Sequence, residues 1–195
     1  MPAITPSQTV GPFFAYGLLP QEYGYAGIAG SRLVAPDTPG EHILLYGRVV
    51  DGEGRPVEDA MLEIWQADAE GRYADAPDGG RADFFGFGRT GTDREGRFRF
   101  ETVKPGRVPA PDGRLQAPHI AMIVTARGLL NHLFTRIYFE DEEAANAEDP
   151  VLARVPEARR PSLIAARQTL GGMPAYRFEV RLQGEAETVF FEFVP

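Results

Sequence analysis

The sequence predicts an all-β fold: an antiparallel β-sandwich or flattened barrel with an irregular N-terminal arm and few short helices. From His42 onward, short apolar or alternating runs are separated by turns rich in Gly, Asp and Pro, which is typical of antiparallel strands. The best helical pattern covers 142–153 and is interrupted at Pro150, and no long amphipathic pattern occurs elsewhere. Because each strand has an apolar face to bury, two packed layers are expected.

The strands are predicted in chain order at 42–50, 61–66, 97–103, 120–125, 132–139, 176–182 and 188–193. Turn sequences separate them. The first two flank DGEG at 51–54, and the third follows DREG at 93–96. The next two flank ARG at 126–128, and the last two flank QGE at 183–185. The pattern therefore predicts several successive hairpins.

Residues 1–40 lack this pattern and are interpreted as an arm ahead of a sandwich domain at 41–195. The apolar side chains of the arm need a surface to cover them: Phe13, Phe14, Tyr16 and Leu18. We expect the arm to pack against a neighbouring chain. The alternative is that it folds back on its own sandwich.

Composition limits the chemistry that the chain can perform. With 195 residues, 43% of them apolar, it fits one domain with a sizeable core. The absence of cysteine excludes disulfides, Cys-ligated zinc and iron–sulfur clusters, so a metal site needs His, Tyr, Asp or Glu. The net charge of -8, with Lys104 as the only lysine, argues against a nucleic-acid partner. The acidic runs at 140–143 and 148–149 are interpreted as a solvated face.

The first 21 residues carry no charge, but they do not predict a membrane span or a signal peptide. Prolines at 2, 6, 12 and 20 break any helix there, and no basic segment precedes an apolar core. A soluble, cytoplasmic protein is therefore expected.

One formal motif is rejected. Residues 86–91 read GFGRTG, which matches the dinucleotide-binding fingerprint. That fingerprint requires a following helix, and here a turn and another strand follow. The glycines are interpreted as positions that allow a bend or a close backbone approach in a sheet.

The informative segments are spread along the whole chain. Residues 62–73 read LEIWQADAEGRY, preceded by LYGRVVD at 45–51 and GRPV at 54–57. FGRT at 87–90, KPG at 104–106 and APHI at 117–120 follow. TPSQTVGPFF at 5–14 opens the chain, and TVFF at 188–191 lies near its end. This ordered set resembles the intradiol ring-cleavage dioxygenases, which open catechols with dioxygen.

The resemblance implies a ferric site held by two tyrosinates and two histidines, a ligand set suited to Fe(III). Tyr73 and His119 fall on ligand positions, whereas Val108 and Ala121 stand where the second tyrosine and histidine are expected. Gln116 replaces an arginine that family members carry near the histidines. The resemblance therefore implies vestigial ligand positions, no metal on this chain and no catalytic residue on this chain alone.

The resemblance further implies an α-type subunit whose homologous β subunit binds the Fe(III). The heterodimer would assemble into a larger oligomer and cleave protocatechuate with O2 to 3-carboxy-cis,cis-muconate. Arm residues would line the partner's substrate pocket: Thr9, Gly11, Pro12 and Phe13. Arg127 corresponds to a position near the active site, where a guanidinium can pair with the substrate carboxylate.

Two alternatives remain open at this point. The chain could be a self-sufficient dioxygenase with an atypical iron site made of Tyr73, His119 and a carboxylate. It could instead be a non-enzymatic, prealbumin-like binding module, since a hairpin at 47–56 followed by a Trp-containing strand also resembles such sandwiches.

Overall fold

The computed structural model describes residues 14–27, 29–74 and 84–192. Eight strands form one continuous sheet in the order β3-β2-β5-β6-β7-β8-β1-β4. Their bounds are β1 His42–Val50, β2 Met61–Trp65, β3 Phe87–Gly91, β4 Arg97–Val103, β5 His119–Thr125, β6 Leu133–Phe139, β7 Ile164–Leu170 and β8 Met173–Arg181. The all-β sandwich or flattened barrel predicted from the sequence is confirmed.

The sheet folds into two layers that enclose one main core. The first layer holds β3, β2, β5 and β6, and the second holds β7, β8, β1 and β4. Alternate residues of β1 are fully buried, as the alternating sequence predicts. Large buried side chains from both layers form the core: Ile43, Leu45, Leu62, Ile64, Phe100, Ile120, Met122, Ile137 and Phe178.

The strand pairing differs from the predicted succession of hairpins. β1 and β2 are not neighbours, because the chain leaves the tight turn after β1 and crosses to the other layer. β1 instead pairs antiparallel with β4 and parallel with β8. β6 and β7 also pair in parallel, so the sheet is mixed. The hairpin of β5 and β6 is present as predicted.

Two strands were missed and one was predicted wrongly. β3 and β7 are absent from the predicted set, and β7 takes the place beside β8 that 188–193 was expected to fill. Within the described part of that segment, Phe191 makes only an isolated bridge to Phe134. The wrong assignment followed from reading QGE as a hairpin turn.

The predicted helical region is split into short pieces that cover part of the first layer. A 3₁₀ turn at Glu140–Glu142 leads into α2, Glu143–Glu148, and another follows at Leu152–Arg154. A longer 3₁₀ segment spans Glu157–Leu163. Their apolar side chains form a second, smaller core over the outer face of the sheet, with Ala117, Tyr138, Ala145, Leu152, Val155 and Leu163. Among the described residues, no helix has the length and apolarity needed to cross a membrane.

The described part of the arm contains α1, Phe14–Leu18, a 3₁₀ turn at Pro20–Tyr23, and an extended segment at 30–33. The extended segment bonds to both sheet edges. The carbonyl of Gly30 accepts from Arg89 of β3 at 3.0 Å, and that of Ser31 accepts from Glu101 of β4 at 2.8 Å. A Cβ on Gly88 would lie 2.6 Å from Leu33, so a glycine of the rejected motif allows this close approach, as expected.

Candidate functional site

The positions implied as iron ligands lie along one outer patch of the first layer. Ala121 of β5 is the register partner of Trp65 of β2, so the two side chains share a face. The ring of Tyr73 stacks on Trp65 with centroids 6.0 Å apart and planes 7° from parallel. His119 lies two residues before Ala121 and therefore on the same face.

Two glycines bring the segment of Tyr73 against the segment of Val108. Gly71 has φ +80°, and a Cβ there would lie 2.0 Å from the carbonyl oxygen of Arg107. The backbone N–H of Gly106 donates to the carbonyl of Asp68 at 2.9 Å. Only glycine combines this conformation with such a close backbone approach. The geometry of the segment therefore depends on these glycines.

A further backbone contact joins Val108 to the beginning of β5. The carbonyl of Val108 accepts from the N–H of Gln116 at 2.8 Å. From Gln116 the chain continues through Ala117 to His119. The structure thus brings all four implied positions into one neighbourhood, as the resemblance leads one to expect.

Asp149 anchors the segment that leads into β5. Its side chain is fully buried, and Oδ2 accepts from the N–H of Ala117 at 2.8 Å. Oδ1 accepts from the hydroxyl of Tyr138 at 3.0 Å and from the N–H groups of Val151 and Leu152 at 2.9 and 2.7 Å. The expectation that 148–149 belongs to a solvated face is therefore wrong for Asp149, because four donors satisfy its buried carboxylate.

His119 is held as a neutral imidazole. Its Nδ1 donates to the carbonyl of Ala117 at 2.8 Å, and the side chain is only 4% exposed. Burial, reinforced by the positive charge of Arg136, lowers the pKa of His119 to about 4. At neutral pH the lone pair therefore lies on Nε2.

Arg136 is a charged residue of this patch that the sequence analysis did not single out. It is the register partner of Ala121 on β6, and its Nη1 donates to Oε1 of Gln116 at 2.7 Å. Burial and the nearby Asp149 raise the pKa of the Tyr138 phenol, while the adjacent Arg136 opposes that effect. The signal available in the sequence is one permanent charge in the otherwise uncharged run LFTRIYF.

The residues at this site do not fit a ferric ion. Tyr73 and His119 offer two donors, whereas Val108, 3% exposed, offers only hydrocarbon, and Ala121 offers a methyl group. The guanidinium of Arg136, beside Ala121, carries a positive charge that would repel a ferric ion bound there. No cluster of three or more His, Cys, Asp or Glu that could hold a metal occurs within the described ranges.

Arg127 lies far from this site. It occupies the tip after β5, where Gly128 turns the chain at φ +85°, and it forms an exposed ion pair with Asp59. His119 is at the other end of the strand, roughly 25 Å away at about 3.3 Å per residue. The remaining residues predicted to line a pocket lie outside the described residues: Thr9, Gly11, Pro12 and Phe13.

Comparison with known proteins identifies relatives over nearly the full length. Residues 29–184 match the family model described as Dioxygenase. The chain is 54% identical over 194 residues to the protocatechuate 3,4-dioxygenase alpha chain of Burkholderia cepacia, with 96% of each chain covered. It is 37% identical over 160 residues to the beta chain from that organism, covering 76% of this chain and 67% of the relative.

A solved structure supports the fold. The 3-chlorocatechol 1,2-dioxygenase of Rhodococcus opacus 1CP superposes with a TM-score of 0.64 at 24% identity, over 80% of this chain and 68% of that chain. The family match argues against the alternative of a non-enzymatic prealbumin-like module. Three findings agree: the family model spans most of the sequence, one relative is identical at more than half of the aligned positions, and the fold is shared. The chain therefore belongs to the intradiol ring-cleavage dioxygenases.

Proposed function

We propose that this chain is the iron-free α-type subunit of a protocatechuate 3,4-dioxygenase and that it works only with a homologous β chain. The ferric ion would be bound by that partner, and the complex would cleave protocatechuate with O2 to 3-carboxy-cis,cis-muconate. One combined observation carries the proposal: the chain is closely similar to an alpha chain, and Val108 and Ala121 stand where two iron donors are expected. Similarity to a beta chain supports a partner built on the same fold.

The position of Arg127 supports a contribution to a site on another chain. The positions implied as iron ligands, Tyr73, Val108, His119 and Ala121, form the relic site. At about 3.3 Å per residue, Arg127 lies roughly 20 Å from Ala121 and about 25 Å from His119 along the strand, too far to serve that site. Its ion pair with Asp59 is exposed, with side chains 61% and 32% accessible, and such pairs contribute little to stability. The guanidinium is therefore free to exchange this partner for the carboxylate of an incoming substrate.

The arm residues Thr9, Gly11, Pro12 and Phe13 are proposed to line the partner's pocket. The heterodimers are proposed to assemble further in the cytoplasm. The competing idea of a self-sufficient enzyme requires a third donor near Tyr73 and His119. Asp149, the buried carboxylate that bonds to Ala117 and to Tyr138 of β6, already accepts four hydrogen bonds and is unsuited to that role.

Iron analysis tests the proposal. The chain is expressed alone and together with a β chain, and iron content, visible absorption and oxygen uptake on protocatechuate are measured. We expect colourless, inactive protein alone, and a coloured, active complex with one iron per pair of chains. Stoichiometric iron with a tyrosinate absorption band in the isolated chain would refute it.

A further inference from the structure

The patch around Ala121 combines a cation, a small central side chain and an aromatic wall. Ala121 is flanked in register by Trp65 on one side and Arg136 on the other, and all three are only partly buried. Adjacent strands lie about 4.8 Å apart, so the backbones of β2 and β6, on either side of β5, are separated by roughly 10 Å. Ala121 carries only a methyl group, so it is the shortest of these three side chains.

Within the residues that the structure describes, the cation in this patch has no carboxylate partner. Across the described ranges, no Asp or Glu oxygen lies within the 4.0 Å ion-pair distance of Arg136, which bonds to the neutral amide of Gln116. The adjacent His119 is neutral and the Tyr138 phenol is protonated. Asp149 moderates the field, but its oxygens are committed to four other donors. A partly desolvated guanidinium of this kind favours an anion that can accept its remaining N–H groups.

The opposite wall is aromatic. Trp65 stacks on Tyr73 and meets the ring of Phe85 edge-on, with centroids 5.9 Å apart at 80°. Phe85 is 70% exposed, so this wall is open to solvent as well as apolar. A planar ring makes favourable contacts with such a surface at about 3.5–4.0 Å.

We propose that the patch formed by Trp65, Ala121 and Arg136 binds a small aromatic carboxylate, with the carboxylate on the guanidinium and the ring against the indole. Loss of the iron donors thus leaves a metal-independent anion site. The inference concerns this chain alone and does not depend on catalysis at a partner's iron.

The indole gives a direct readout, since Trp65 is the only tryptophan of the chain. The full chain is titrated with benzoate while fluorescence excited at the red edge of indole absorption is recorded. Benzoate lacks catechol oxygens and therefore needs no metal. We expect saturable quenching, weakened about tenfold or more in Arg136→Gln, because one charge-assisted contact is lost. Benzamide, the neutral analogue, is expected to bind equally weakly to both proteins.

Two further variants separate binding from folding. Arg177→Gln removes a charge from an exposed position on the other layer and is expected to keep wild-type quenching. Ala121→Leu places a larger side chain between Trp65 and Arg136 without changing charge, and it is expected to abolish quenching. Circular dichroism confirms that each variant is folded. Unchanged benzoate binding in folded Arg136→Gln, or equal binding of benzoate and benzamide, would overturn the proposal.

The assembled protein gives an independent check. Equilibrium dialysis with labelled benzoate counts the sites per pair of chains, and the difference between wild type and Arg136→Gln isolates this patch from any site on the partner. We expect one site fewer in the variant. No difference in benzoate binding, together with weaker association of the two chains, would show that Arg136 pairs with an acidic side chain of the partner and would overturn the proposal. Iron content and ring-cleavage activity test the proposed function separately.

Discussion

The hydroxyl of Tyr138 donates to Oδ1 of Asp149 at 3.0 Å beneath the relic site, and both side chains are fully buried. This bond ties β6 to the segment after α2, while the other carboxylate oxygen holds Ala117, two residues before β5. The strands that carry Arg136 and His119 are thereby fixed to one buried group. The relic site keeps a rigid support although it has lost half of its implied metal ligands.

Asp149→Asn is expected to destabilise the protein by about 2–4 kcal/mol. In asparagine an NH2 group replaces one of the two carboxylate oxygens, and this NH2 group cannot accept a hydrogen bond from the buried donor that the oxygen now serves. Urea denaturation measures the loss. Asp112→Asn is the matched control, since Asp112 pairs with Arg114 at an exposed site where such pairs contribute about 0–1 kcal/mol. Equal effects of the two substitutions would contradict the buried role of Asp149.

Gly71→Ala is expected to cost at least about 2 kcal/mol and to disturb the segment of Val108, since its Cβ would meet the carbonyl of Arg107. Gly113→Ala is the control: Gly113 has a similar φ, +83°, but a Cβ there has no neighbour within 4 Å. Its expected cost is about 1 kcal/mol from backbone conformation alone. Thermal unfolding of both variants separates crowding from conformation, and equal melting temperatures would argue against crowding.

Because of His119, the free energy of unfolding is expected to decrease as the pH is lowered. Its folded pKa of about 4 lies below the unfolded value near 6.5, so the unfolded chain takes up the proton first. This contribution is complete above about pH 6.5 and is lost as the pH falls towards 4, with a slope of at most about 1.4 kcal/mol per pH unit. Urea unfolding between pH 7.5 and 4.5 is compared with His119→Gln, in which this slope should disappear. Parallel curves would show that His119 titrates normally.

Arg127→Ala in the assembled enzyme is expected to raise KM for protocatechuate about tenfold with little change in kcat, because attraction for the substrate carboxylate is lost. Catechol, which has no carboxylate, should be cleaved as before. Arg99→Ala removes another exposed arginine, paired with Glu101, and serves as the control. A similar loss with both substrates would place Arg127 in assembly instead of substrate binding.

Val108→Tyr with Ala121→His is expected to create measurable Fe(III) affinity, seen as visible tyrosinate absorption on iron titration. Adding Arg136→Gln should strengthen binding, because a nearby positive charge is removed. The larger side chains carry a stability cost of about 1–3 kcal/mol. Val108→Phe with Ala121→His has nearly the same bulk but no phenol oxygen, so it should remain colourless. Absorption in that control would refute the assignment of position 108.

The sequence predicted strands well where alternation and turns coincide. The bounds of β1 and β4 match the prediction, since buried and exposed residues alternate between clear turns. β7 was missed because its last four residues are exposed and therefore give no alternation. It pairs with β6, which is distant in sequence, and with β8 across the two-residue turn Gly171–Gly172, a hairpin signal that the prediction overlooked.

The site was predicted only in part. The implied ligand positions came from the resemblance, and the structure brings them together. Arg136 was missed because its importance comes from the register that places it beside Ala121. Asp149 was misread because a carboxylate next to Glu148 has the pattern of a solvated acidic run. Its burial depends on backbone donors that no side-chain pattern reveals.

The segment at 30–33 has a consequence for solubility. It occupies backbone groups of β3 and β4, the two edge strands of the sheet. Unprotected edges are templates for strand addition by other chains. A chain shortened past this segment would keep its core but present open edges, and self-association would compete with pairing to its proper partner.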